Sequence, residues 1–210
     1  MPVDDLYKVR KRDIPRVGTI FAEAFRTDPL WSKVFADEQN AERKIQAFFE
    51  IPVRFCARYG EVYATSESLE GAAAWIPGHV NDLSFRGMLF SGAWRPALKL
   101  GMQFNKKLMP IFTPLEEHRK AVMKGREYVY LEIIGVAPEQ QGRGHGGKIL
   151  GALTESCDAA GKYLFLETMT TGNVEIYSKY GFTVAQTTRI AQYDVPVWQM
   201  VRAPRKTSPE

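Results

Sequence analysis

Seven residues, Gln141-Gly142-Arg143-Gly144-His145-Gly146-Gly147, stand between a strand-like run and a helix-like run, and they constrain this chain more than any other segment. Glycines at alternate positions, with a further one adjacent to the last, leave the backbone without Cβ atoms, so successive N–H groups can close on an oxyanion. The helix that follows brings its positive N-terminal end to the same place. The expected ligand is a phosphate or pyrophosphate on a small cofactor.

Three phosphate-binding patterns fit parts of this loop. As G-x-x-x-x-G-K-[ST], Gly142 to Lys148 match up to the last position, where Ile149 has no hydroxyl for Mg²⁺ and nucleotide hydrolysis loses a required part. As G-x-G-x-x-G, Gly142, Gly144 and Gly147 follow a strand (Val129 to Val136), with Glu167 about 20 residues on, where a ribose-binding acid belongs. Against that reading, the stretch Ala137 to Gln141 separates the strand from the first glycine, whereas the dinucleotide turn is tight. Only 43 residues follow Glu167, too few to complete a six-stranded doubly wound domain. As [RQ]-x-x-G-x-[GA], the loop has Gln141, Gly144 and Gly146 all in place.

On the third pattern the chain resembles the GNAT superfamily of acetyl-CoA-dependent N-acyltransferases. Leu131-Glu132-Ile133-Ile134-Gly135-Val136-Ala137-Pro138-Glu139 is similar to the family's fourth strand leading into the loop. Leu166-Glu167-Thr168, then Asn173-Val174-Glu175-Ile176-Tyr177-Ser178-Lys179-Tyr180-Gly181-Phe182, looks like its closing N-x-x-x-Y-x-x-x-G-F segment. Two motifs in the right order are far more specific than either alone. The layout is most similar to the puromycin N-acetyltransferase-like branch, with a weakly similar start at Asp13-Ile14-Pro15 and Ala22-Glu23-Ala24-Phe25.

Composition sets outer bounds. A length of 210 residues allows one domain with an elaboration and a sizeable core, and 45% hydrophobic with 25% charged residues is ordinary for a globular protein. A net charge of +4 describes an unspecialised surface, and the basic run Lys8 to Arg12 is too small to argue nucleic-acid binding. Cys56 and Cys157 lie in apolar surroundings and read as buried free thiols. His79, His118 and His145 are scattered, so no metal site is expected. No signal peptide or spanning run of about 20 apolar residues is visible, and a cytoplasmic enzyme is expected, with no membrane or nucleic-acid partner and a possible homodimer.

Periodicity predicts a single domain over 1–203, with a disordered tail over 204–210. Leu6 to Arg12 reads as a strand, and Asp13 as the N-cap of a helix ending before Asp28. Ala41 to Tyr59 reads as a helix that Pro52 should kink or split. Glu61 to Thr65 and Gly71 to Ile76 read as a hairpin, although Ala72-Ala73-Ala74 is an odd strand by propensity. Residues 81–124 read as an inserted set of two or three helices broken at Pro96 and Pro110, with part of it as a possible apolar acceptor pocket. Gly147 to Gly161 reads as the cofactor helix and Tyr163 to Glu167 as a strand. A helix capped by Asn173 follows, then strands at Phe182 to Ile190 and Val197 to Arg202.

The resemblance implies an α/β GNAT fold: a mixed, mostly antiparallel twisted sheet flanked by helices, with acetyl-CoA where strands four and five splay. It implies direct transfer of the acetyl group from acetyl-CoA to a primary amine of a small molecule or peptide. The backbone of Gly142 to Gly147 would hold the pyrophosphate, with Gln141, Arg143, His145 and Asn173 beside it, and Ile134 and Val136 would bind the pantetheine arm. Tyr177 is the candidate general acid. Glu132, expected on one face with Ile134 and Val136, is the candidate base, with a water relay, His118 or His79 as substitutes. Two other readings of the loop are an acyl-CoA-binding sensor without turnover and an NAD(P)-binding oxidoreductase.

Overall fold

The computed structural model describes residues 2–80 and 85–205. Its strands are β1 (Tyr7–Lys8), β2 (Glu61–Ala64), β3 (Gly71–Pro77), β4 (Tyr128–Val136), β5 (Tyr163–Thr168), β6 (Thr183–Ile190) and β7 (Val195–Arg202). They form one mixed sheet in the order β1-β2-β3-β4-β5-β7-β6. Neighbours run antiparallel throughout, except β4 and β5. That exception follows from the connection. Between these two strands the chain passes through the glycine loop and α7 (His145–Ala159), and a helical crossover returns it in the same direction.

One face of the sheet carries α1 (Ile14–Ala24), α2 (Trp31–Phe35), α3 (Ala41–Tyr59) and α6 (Met102–Val122), which share a core with Ala72, Ala74, Ile76 and Ile133. The other face carries α7, packed on Ala73, Trp75, Leu131 and Leu166. The alanine run therefore alternates between two cores and is fully buried in both. Burial on both faces, rather than strand propensity, accounts for a strand made of small residues. Gly18 lets α1 settle against α3, since a Cβ there would stand 3.1 Å from Glu50 Cβ.

Several local expectations are corrected. β1 is confined to two residues, because Asp13 draws the chain away from the sheet by accepting from Tyr7 Oη at 2.8 Å and Arg10 N at 3.0 Å. With its carboxylate so engaged, Asp13 makes no side-chain cap on α1. α3 runs unbroken through Pro52; the lost backbone donor is outweighed by packing of Phe49, Val53, Phe55 and Cys56. Pro96 lies in the first turn of α5 (Trp94–Leu100), where no N–H partner is missed, and α6 continues through Pro110 and Pro114. Both prolines of α6 are exposed, so the carbonyls they leave unbonded meet water, while Phe104, Leu108, Ile111 and Leu115 form the buried stripe. The interruptions between β3 and β4 fall instead at Gly92 (φ 74°) and Gly101 (φ 80°), which separate α4 (Phe85–Ser91), α5 and α6.

The first residues of the expected insertion, 81–84, lie outside the described residues, as do 206–210 of the expected tail. Arg205 is placed, with its backbone N–H donating to Asp158 Oδ1 at 2.7 Å. Cys56 and Cys157 are buried free thiols, as expected. Among the described residues no helix is long and apolar enough to cross a membrane.

Candidate active site

β4 and β5 pair only over Tyr128–Tyr130 and Tyr163–Phe165. Beyond that point no pairing joins them, and the backbone groups on the β5-facing edge of β4 are left to a cleft. The cleft, of about 850 Å³, runs from the glycine loop across the splayed strands into a chamber beneath α2, α3 and α6. Its size lies within the range of small-molecule sites.

The loop leaves its backbone open to the cleft. Gly142 and Gly144 have φ of 78° and 86°, and a Cβ on either would meet nothing within 4 Å. Their glycine character therefore answers to backbone conformation alone, and the space around them is open to a ligand. Gly144 is the N-cap residue of α7, so the free N–H groups of the first helical turn begin at the cleft. Gly147 is different: a Cβ there would stand 2.7 Å from Tyr180 Oη. Gln141 donates from Nε2 to Val136 O at 3.2 Å, tying the loop back to the end of β4. Gln141, Gly142, Gly144, His145, Gly146 and Gly147 all line the cleft, and Arg143 is exposed and not part of its wall.

Ile134 and Val136 line the cleft on the α7 side of the sheet, Ile134 within the core under α7 and Val136 Cγ2 beside Gly146 of α7. Glu132 also lines it but does not share their face. The register steps from Ala74↔Ile133 to Trp75↔Leu131, so Glu132 is the extra residue of a β-bulge. A bulge resets the alternation. The Glu132 charge accordingly acts on Cys56 and Tyr130, both on the face that carries α3 and α6. The expected common face is overturned, and the carboxylate is directed to the chamber end of the cleft.

α8 (Thr171–Lys179) supplies Asn173, Ile176 and Tyr177 to the opposite wall. Asn173 is not its cap. Thr170 Oγ1 accepts from Asn173 N at 3.3 Å, which leaves the Asn173 side chain available to the cleft. Tyr177 packs against Phe182 with ring centroids 5.8 Å apart, and burial pushes its hydroxyl up to about 12. Neither His79 nor His118 lines the cleft.

Glu167 is a cleft residue that sequence reasoning left without a role in the acyl-transfer reading. It sits on β5 in the cleft wall, accepting from Tyr130 Oη at 3.0 Å and from Gln199 Nε2 at 2.7 Å. Burial raises its pKa above the ordinary carboxylate value, a shift these hydrogen bonds and the Arg119 charge partly oppose. The Arg119 guanidinium lies 4.6 Å from the Tyr130 ring centroid. A carboxylate ending the apolar run Leu164-Phe165-Leu166 was the available signal, since a buried charge requires partners. Asp28 was missed as well. It lines the chamber, accepts from Leu30 N and Trp31 N at 2.9 and 3.2 Å, and burial raises its pKa.

A parallel pair opening within an otherwise antiparallel sheet, with a glycine-rich helix start at the opening, defines the acyl-CoA N-acyltransferase class of fold. A family model for the acetyltransferase (GNAT) family matches residues 111–182. An uncharacterized N-acetyltransferase of Schizosaccharomyces pombe is 28% identical over 209 residues, covering 96% of this chain and 84% of the relative. Among solved structures, a Corynebacterium glutamicum histone acetyltransferase and related acetyltransferase has a TM-score of 0.62 at 19% identity, covering 97% of this chain and 98% of that one. Drosophila melanogaster polyamine N-acetyltransferase, which forms N-acetylagmatine, has a TM-score of 0.63 at 13% identity, covering 94% and 98%. At these identities the two structures speak for the fold. The chain has the GNAT fold, and it is similar to the GNAT acetyltransferases over residues 111–182 and to an N-acetyltransferase over most of its length.

Proposed function

We propose that this chain transfers the acetyl group of acetyl-CoA directly to a primary amine of a small molecule or peptide. The observation that carries the reading is the glycine loop opening onto the same cleft as Tyr177, across the splayed ends of β4 and β5. The backbone N–H groups of 142–147 hold the pyrophosphate. The β5-facing edge of β4 around Ile134 to Val136 binds the pantetheine arm and polarises the thioester carbonyl. Glu132 removes a proton from the acceptor ammonium, directly or through a water. The amine nitrogen then attacks the carbonyl carbon, the C–S bond breaks, Tyr177 Oη donates its proton to the departing thiolate, and the second proton shed by the nitrogen passes through water to restore the phenol.

The direction of the Tyr177 shift fits a donor. A hydroxyl pushed up to about 12 stays protonated across the neutral range and loses its proton only near that value. A free thiol titrates near ~8.5, so in water the transfer would be uphill. The same burial that raises the phenol also raises the proton affinity of a thiolate in the cleft, which narrows the gap.

Free thiol should appear when acetyl-CoA is mixed with an amine panel. Tyr177→Phe should lower kcat by about 10²–10⁴, the usual contribution of a positioned acid, with the KM for acetyl-CoA little changed. An unchanged kcat removes Tyr177 from the mechanism. Micromolar CoA binding without thiol release on any amine supports the sensor reading instead.

A further inference from the structure

We infer that the acceptor is a cationic amine carrying an aromatic body, selected by the chamber beneath α2, α3 and α6. This rests on the acetyl-transfer reading above and names the substrate class of that site.

The chamber wall is a set of touching rings. Trp31 of α2 lies 4.5 Å from Phe48 and 6.0 Å from Phe49 of α3, and Phe25 stacks on Phe49 at 5.2 Å. Phe112 of α6 closes the set, 6.0 Å from Trp31 and 6.4 Å from Phe48. All five line the cleft. Phe112 is 42% exposed while Phe49 is 2% exposed, so the rings run from the mouth of the chamber to its floor. Such a wall offers an apolar surface and ring faces, against which an aromatic group packs edge-to-face or offset and a cation is attracted. It offers few hydrogen bonds to a hydroxyl-rich amine, whose polar groups would be desolvated without partners.

Charge selects in the same direction. Five Asp, Glu or Arg side chains line the cleft: the carboxyl groups of Asp28, Glu116, Glu132 and Glu167, and the guanidinium of Arg119. Arg119 already lies over the Tyr130 ring beside Glu167. An excess of carboxylates draws in an ammonium and disfavours an acceptor bearing its own carboxylate. An amino acid therefore fits poorly, as does an amino sugar, and an arylalkylamine satisfies both walls. The Glu132 carboxylate, turned to the chamber side by the bulge, is where the ammonium end would arrive.

The test compares kcat/KM for phenethylamine and tryptamine with putrescine, spermidine, lysine and glucosamine, all with acetyl-CoA. The arylalkylamines should exceed every other acceptor by about 100-fold. Phe112→Ala, at a partly exposed position that can be emptied without opening the buried core, should raise the KM for tryptamine about tenfold and leave the KM for acetyl-CoA unchanged. Phe112→Tyr, which keeps the ring, should restore the tryptamine KM. Faster acetylation of a polyamine, an amino acid or an amino sugar overturns the acceptor class while leaving acetyl transfer intact. So does an unchanged tryptamine KM in Phe112→Ala. Failure to bind CoA by calorimetry and to release thiol on any amine overturns both.

Discussion

Gly144 and Gly147 stand in one motif yet are glycine for unrelated reasons. Gly144 holds φ at 86° in open space, and Gly147 yields room to the hydroxyl of Tyr180, the residue that caps the end of α8. Gly147→Ala gains roughly 1 kcal/mol of helix propensity but forces Tyr180 away, an overpacking cost of about 1–3 kcal/mol. The two substitutions should therefore couple. Tyr180→Phe removes the obstructing oxygen, and the double variant should recover at least about 0.5 kcal/mol relative to the sum of the singles in urea denaturation. A coupling near zero would show that α8 moves freely and that Tyr180 does not fix this glycine. The motif letters marked the loop but could not separate these two roles, because the second depends on a residue 33 positions further along the chain. Glu132 shows the same limit. Strict alternation put it with Ile134, and one extra residue in the pairing with β3 moved it to the other face.

Elements were legible where side-chain period and burial agreed. The strands around the splay, α7 and the hairpin of β2 and β3 could be read from the chain. Proline misled as punctuation, since Pro52 and Pro110 lie within helices secured by buried stripes, and the real breaks are at positive-φ glycines. What ties α7, α8 and β7 together was invisible in periodicity. Arg202, 3% exposed, donates from both terminal nitrogens to Asp158 at 2.6 Å and from Nε to Tyr180 O at 2.8 Å. Asp158→Ala strands that guanidinium in the interior and should cost roughly 3–5 kcal/mol. Hydrogen bonds from Arg202 hold the Asp158 carboxyl below its ordinary 3.8. A depressed folded value means the added stability is present above the unfolded pKa and is lost as pH falls through the folded one. Urea midpoints of wild type and Asp158→Asn should therefore lie well apart at pH 7 and begin to converge as pH falls below about 3.8. A gap that does not narrow at all below that pH would mean the pair contributes through packing rather than charge.

For the whole molecule, the decisive feature is an interruption: a sheet continuous from β1 to β6 except where β4 and β5 separate. A sheet edge opened in its own middle leaves backbone donors and acceptors without strand partners, and such groups demand water or a ligand. The acetyl-transfer reading assigns them to the donor substrate, which would then complete the sheet as a surrogate strand. Two consequences follow together. Acetyl-CoA at 100 times its Kd should raise unfolding stability by about 2.7 kcal/mol, from binding to the folded chain alone. The gain in amide protection should concentrate at 131–136 on the open edge and 142–147 in the loop, with β6 and the outer part of β2 unchanged. Hydrogen exchange with and without CoA reads both. A uniform rise in protection would mark global stabilisation by a ligand bound elsewhere, and protection confined to the loop would leave the β4 edge out of the donor site. NAD(P), lacking a pantetheine arm to follow that edge, should produce neither change.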